Sequence, residues 1–395
     1  METLQPTLKR GRDVWDSIGM PESEFRTRVD RIVKEMRKRR MKVLLLYGIG
    51  QNDYGYPCYV TNYLTKMPQG AMAVITDKGE VALICEGFAR DAALIKDTTW
   101  VKEIRSNETL SRTCVQYLQE KKLIPSTLGF AGLRQHMPCR EFEVLSEATR
   151  GCRIVDAGDM VNRMRMIKSG REIDQVRRAA RLVARLFDSI ARASFPAFNE
   201  RAVEALIYRL GYLDGAEDVR ILTARSAGAR PRGQRPGEKD ETLRPPDDRT
   251  ISGGDVVVVH LAVEFERYWA EGTRTYRAEG ISLAESTPDA VRSLYGRITQ
   301  GLVPGKTASG FYREALAKVK RSRIPFVADY GLGGGIGLSG QELPPLSADD
   351  GTLLKEGMTL SLRLAVTAPE TGLAMLGDTV CLSGNGPEIL TSLLP

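Results

Sequence analysis

Histidine is nearly missing from this chain: two residues in 395, His136 and His260. Catalytic zinc and the later transition metals lean on imidazole, so a sequence this poor in it is badly equipped for such a centre. Cysteine is limited to six (58, 85, 114, 139, 152 and 381), with no C-x-x-C pair and no even spacing. That pattern argues against a disulfide framework and implies reduced, partly buried thiols, with the cytoplasm as the expected compartment. No run of about 18 apolar residues occurs, so neither a membrane-spanning helix nor a membrane partner is expected. The opening METLQPTLKRGRDVW has no apolar core of the kind a signal peptide needs. No repeat with a period of roughly 20–50 residues is visible.

What is present is ordinary for a soluble globular protein: 42% hydrophobic and 27% charged residues. The length suits two domains. The net charge of +7 favours acidic ligands, although a solvated surface is its commoner meaning. Residues 23–40 carry Phe25, Val29, Ile32, Val33 and Met36 at helical spacing, with basic residues opposite. A buried strand over 41–47 follows, then a hairpin of 71–76 and 81–86 around Asp77-Lys78-Gly79, and a helix near 89–95. Alternating helices and strands continue to Ile154, as in a three-layer α/β domain. His136 falls in an expected loop and reads as a surface or structural residue.

Ser169 with Glu172 three residues on is a capping-box start, and Ile173, Val176, Ala180, Val183, Phe187 and Ile190 make the stripe of the helix it opens. We therefore divide the chain into domains at 1–163 and 164–395. Helix at 200–211, strand at 219–224 and a long arginine- and proline-rich loop over 225–249 come next; the loop has the length of a lid or flap. Gly254 to Thr275, GDVVVVHLAVEFERYWAEGTRT, is a β-hairpin with a charged tip at Glu264, Glu266 and Arg267. Strand alternation lets His260 and Glu271 meet on one buried face. Two nucleotide-like motifs fail. Gly305-Lys306-Thr307 has Gln300 where a phosphate loop needs glycine, and the 331–337 glycine run has Ile336 at the third fingerprint position. Tight turns and close backbone packing account for both.

The frame around the hairpin resembles the aminopeptidase P, prolidase, creatinase and methionine aminopeptidase superfamily. Its members carry GD, four apolar residues, D-x-G and a later D-x-T-R-T; here Gly254, Asp255, Thr273, Arg274 and Thr275 are kept. Arg165 to Ile173 is similar to the family's R-x-I-K-S-x-x-E-I, and residues 59–65 to its N-R-Y-L-T segment. Tyr330 to Pro344 resembles H-G-x-G-H-G-I-G-L-x-x-H-E-x-P, Glu356 to Arg363 resembles P-G-M-x-x-x-x-E, and Leu376 to Val380 resembles I-E-D-T-V. The resemblance implies an α+β chain: a three-layer creatinase-type N-terminal domain before a pita-bread C-terminal domain, and a homodimer. The family's five metal ligands fall at His260, Glu271, Gly334, Arg363 and Gly377. Its substrate-facing histidine falls at Gln341, and another near Arg232. Creatinase, the metal-free member, has a histidine and two glutamates; these fall near Arg232 and at Thr273 and Arg363.

Two glycines offer no donor and an arginine repels a cation, so neither a metal nor another cofactor is expected. The relined cavity would hold Arg363, Arg232, His260, Glu271, Gln341 and Glu342. Guanidinium suits carboxylate or phosphate. A carboxylate beside His260 would raise its pKa and fix its tautomer. The expected function is metal-independent hydrolysis of a small anionic, amino-acid-like substrate. His260 would be the base, Glu271 its orienter and Arg363 the anion binder, with Arg232, Gln341, Glu342 and Thr273 as substrate contacts. The rival is an inactive pseudo-peptidase that binds a ligand or an active paralogue, in which Arg363 and Glu271 simply fill the void as a salt bridge. Nucleic acid is not an expected partner, because the basic loop lacks interleaved aromatics.

Overall fold

The structure, a computed structural model, describes residues 15–50, 54–65, 69–87, 92–124, 126–195, 199–226, 240–369 and 371–392. Contacts divide the chain into two compact units, one ending at Arg165 and one beginning at Met166. The first runs α1 (Glu22–Lys38), β1 (Val43–Ile49), α2 (Gly55–Thr61), β2 (Gly70–Thr76), β3 (Val81–Glu86), α3 (Ala92–Lys96) and β4 (Glu103–Asn107). It continues with α4 (Leu110–Glu120), β5 (Thr127–Ala131), α5 (Leu133–His136), α6 (Cys139–Ala148), β6 (Arg153–Asp156) and α7 (Gly158–Met166). The six strands form one mixed sheet in the order β4-β3-β2-β1-β5-β6.

Neighbouring residues of β1 serve opposite faces of that sheet. Val43, Leu45 and Tyr47 join a core with Leu110, Cys114 and Leu118 of α4 and Leu145 of α6. Leu44 and Leu46 point the other way and are fully buried, on the side where α1 and α2 pack. Both faces are covered, so three layers result. His136 ends a single helical turn rather than lying in a loop; a turn that short leaves no periodicity to read.

The second unit opens with α8 (Gly170–Arg192), where Ser169 and Glu172 form the expected reciprocal cap. There follow α9 (Glu200–Leu213), β7 (Asp218–Ser226), β8 (Asp240–Arg244), β9 (Val256–Phe265), β10 (Tyr268–Glu279) and β11 (Ser282–Glu285). Then come α10 (Asp289–Thr299), α11 (Ala308–Ser322), β12 (Gly333–Gly335), β13 (Glu342–Pro345), β14 (Thr359–Ala368), β15 (Gly372–Ser383) and β16 (Gly386–Ile389). The sheet path is β13-β12-β14-β15-β10-β9-β7-β8. β8 lies within the stretch expected to be loop, because DETLR has too few apolar residues to announce a strand. Residues 227–239 of that loop, Arg232 among them, lie outside the described residues.

Helices line one face of this sheet. Leu360, Leu362, Leu364, Leu376 and Val380 pack against Leu294, Ile298 and Phe311 of α10 and α11. On β10, Gly272 faces α8; a methyl there would sit 2.8 Å from the Phe187 ring. Alternation then turns Glu271 and Thr273, and likewise Ser361, Arg363, Gly377 and Thr379, to the opposite face. The glycine run at 331–337 contributes β12, and a side chain on Gly335 would overlap the Leu343 carbonyl. The hairpin turn places both Glu266 and Arg267 at positive φ, 49° and 70°. Its charged tip is buried, with Arg267 bonded to the equally buried Glu217. Among the described residues no helix is long and apolar enough to cross a membrane.

Gly272→Ala is expected to cost about 1–3 kcal/mol by overpacking the α8 contact, read as a lower urea midpoint with an unchanged slope.

Candidate functional site

The face turned away from the helices carries two rows of residues, the first across four strands and the second across five. In one row Thr273 lies opposite His260 on β9 and opposite Gly377 on β15, and Gly377 lies opposite Arg363 on β14. In the next row Glu271 lies opposite Ala262, while Ser361 lies opposite Thr379 and, on its other side, Gly334. Glu271 joins that row through Thr379, whose hydroxyl accepts from the Glu271 amide at 2.8 Å and donates to its carbonyl at 2.9 Å. His260, Glu271, Thr273 and Arg363, separated by up to a hundred residues in sequence, are thereby brought together.

Their side chains engage one another. Arg363 Nη2 stands 3.2 Å from Glu271 Oε1, and the Ser361 hydroxyl donates to the same oxygen. His260 Nδ1 lies 3.0 Å from Thr273 Oγ1, and its Nε2 is 4.0 Å from Glu271 Oε2. That last span is too long for a direct hydrogen bond. Glu271 is nearly buried, whereas 23% of the Arg363 side chain remains exposed. Arg363 Nε is buried and unpartnered among the described residues.

One expectation reverses here. The carboxylate beside His260 does pull its pKa upward, but burial outweighs it and the Arg363 guanidinium adds to the downward shift. The imidazole therefore sits below its ordinary 6.5 and is neutral at pH 7.

Of the remaining candidates, Glu342 gives its carboxylate to Lys168 Nζ at 2.8 Å, a pair buried on both sides, and to the Ser339 amide at 3.2 Å. It braces the segment ahead of β13 rather than joining His260, Glu271 and Arg363. Gln341 is exposed in that segment. Arg232 lies outside the described residues. Ser361 and Thr379 were missed by the sequence reading. The available signal was alternation, since each stands two residues from a named position on the same strand.

A paired-ion centre does not fit this donor set. The positions of the five family ligands do converge, but they present one imidazole, one carboxylate, two glycines and a guanidinium that already holds the carboxylate. A side chain at 334 would press on the Pro344 carbonyl at 3.0 Å. One at 377 would press on Thr273 Oγ1 and Arg363 Cβ at 3.1 and 3.2 Å. Among the described residues no group of three or more His, Cys, Asp or Glu is placed to hold an ion.

With this geometry in view, the comparisons are unambiguous about descent. The model of metallopeptidase family M24 matches residues 174–383, more than half the chain. The chain belongs to metallopeptidase family M24. The Creatinase/Prolidase N-terminal domain matches residues 28–167 of the same M24 protein. A similar relative is the Xaa-Pro dipeptidase of Pyrococcus furiosus, 26% identical over 275 residues, 67% of this chain and 73% of that one. A solved prolidase from Pyrococcus horikoshii superposes with a TM-score of 0.73 at 21% identity, covering 93% of this chain and 99% of that one. An X-Pro aminopeptidase from Thermotoga maritima gives 0.74 at 19%, covering 93% and 98%. The M24 protein thus has the pita-bread fold after a creatinase-type N-terminal domain, and its relatives are peptidase-family hydrolases.

Two outcomes follow for this M24 site. Because His260 binds its proton more weakly when folded, acidification favours the unfolded chain. Stability is kept above about pH 6.5 and lost as pH falls below it. Melting temperatures at pH 7.5 and 5.5 should fall further apart for the wild type than for His260→Gln. Arg363→Ala should cost roughly 1–3 kcal/mol, less than a fully buried pair because solvent reaches the guanidinium. In a double-mutant cycle Glu271→Gln should recover part of that loss.

Proposed function

We propose that this M24 protein is a metal-independent hydrolase that cleaves the C–N bond of a small, anionic, amino-acid-like substrate. The observation that carries the reading is the Nε of Arg363, unpartnered among the described residues, on the same side-chain face as a neutral imidazole and a buried carboxylate. A buried donor without an acceptor is costly, and a planar carboxylate is the acceptor a guanidinium edge accommodates best. With its proton on Nδ1, donated to Thr273, His260 keeps an Nε2 lone pair 4.0 Å from the Glu271 carboxylate, and in this reading the attacking water is held beside both groups. His260 takes a proton from that water as the oxygen adds to the substrate carbonyl, and returns it to the departing amine. Glu271 faces the imidazolium formed in between, and Arg363 holds the substrate carboxylate or the developing oxyanion. Thr273 sets the tautomer; Gln341 and Arg232 stand as substrate contacts in this reading. Glu342, tied to Lys168, supports the wall rather than the substrate.

A second reading has its own support. Glu271 Oε1 is engaged by both Arg363 and Ser361, so the cluster is neutralised without any ligand, as in a pseudo-peptidase kept for binding.

Incubation with Xaa-Pro dipeptides, N-methyl amino acids and guanidino acids in excess EDTA, followed by mass spectrometry of released amine, separates the two. Hydrolysis is expected to persist in EDTA and to rise with pH through a midpoint below the ordinary imidazole value of 6.5. His260→Gln should lower kcat by about 10²–10⁴, and Arg363→Ala should raise KM. Activity that needs added manganese or cobalt would overturn the proposal. Ligands that raise the melting temperature without turnover would move the assignment to the pseudo-peptidase.

A further inference from the structure

Away from the catalytic face, α8 borders a groove of about 530 Å³ closed on its other side by Phe265, Ile389 and Leu390. That volume falls within the roughly 300–1,000 Å³ typical of ligand pockets. Its floor is apolar: Leu182 and Leu390 are buried beneath it, and Phe265 and Ile389 are half-exposed. Its rim is not. Arg177, Arg178, Arg181 and Arg185 line it against only two carboxylates, Glu388 and Asp214. Both acids are already engaged, Glu388 by Arg177 through two bonds of 2.8 and 3.2 Å and Asp214 by Arg185 at 3.1 Å, while Arg177 also pairs with Asp174 at 3.0 Å. Arg181 is exposed and makes no hydrogen bond or ion pair among the described residues. The rim thus keeps an excess of positive charge over a greasy floor, on the outer side of a rigid, capped helix.

We propose that this groove docks an acidic, amphipathic segment of another protein. Arg177, Arg181 and Arg185 stand four residues apart, each about one helical turn, 6 Å, from the next. A partner helix with carboxylates at i, i+4 and i+8 would match them, with one or two large apolar side chains on Leu182, Phe265 and Leu390. A second copy of this chain is the poorer occupant. A two-fold contact sets the same patch against itself, so one arginine-rich rim would face another.

The test uses the full chain and a fluorescein-labelled helical peptide with glutamates on one face and leucine and phenylalanine on the other. Its all-glutamine analogue is the control. Anisotropy should show the acidic peptide binding, weakening as salt rises from 50 to about 500 mM. Arg181→Glu/Arg185→Glu, two exposed changes, should weaken it at least tenfold with an unchanged circular dichroism melt. Ile389→Ser should weaken both peptides alike. Equal affinity for the glutamine analogue, or indifference to the double charge reversal, would overturn the proposal. So would a dimer that the reversal splits on ultracentrifugation, since the face would then belong to a second copy.

Discussion

A carboxylate buried on the inner face of a sheet is costly without a partner, and everything at the centre of this protein is arranged around that requirement at Glu271. Arg363 and Ser361 supply the partner, from the strand beyond β15. Had position 363 carried a second carboxylate, the two would repel unless cations lay between them. With a guanidinium there, the same electrostatic balance is reached by the chain itself. Gly377, between Thr273 and Arg363, leaves the arginine room to cross.

The seam between β10 and β15 shows how the frame survives such a change. Only Thr273 and Gly377 pair regularly across it. Elsewhere threonine hydroxyls take the place of ladder bonds: Thr379 with the Glu271 backbone, and Thr275 with both the amide and carbonyl of Met375 at 2.9 Å. On the helix side Arg274 bonds the Gly377 carbonyl and Asp378, each at 2.7 Å. The retained Thr-Arg-Thr run therefore holds two strands together, a task that owes nothing to an ion. Metal chemistry and sheet closure are separable in this fold, which is why family membership states the scaffold more firmly than the reaction.

Much of the architecture was legible from residues alone. The Ser169 cap, the stripe of α8 and the hairpin of β9 and β10 follow from local rules, and the meeting of His260 with Glu271 followed from alternation. What escaped was settled by competition between terms of opposite sign. Charge alone points the His260 pKa upward, and burial sends it down. Glu342 looked free for a substrate until Lys168, 174 residues away in sequence, claimed it. The Glu266–Arg267 turn had the charge of an exposed tip and lies buried because Glu217 meets it.

By itself, then, the order of residues determined the two-part α+β scaffold and stripped three of the family's five ligand positions of a metal donor, since side-chain chemistry and short-range periodicity need no coordinates. Tertiary structure decided which of the surviving polar groups hold one another and which keep a donor unanswered. Burial, and pairing across strands distant in sequence, set the free energy of each charge, and neither is written in any local stretch of the chain.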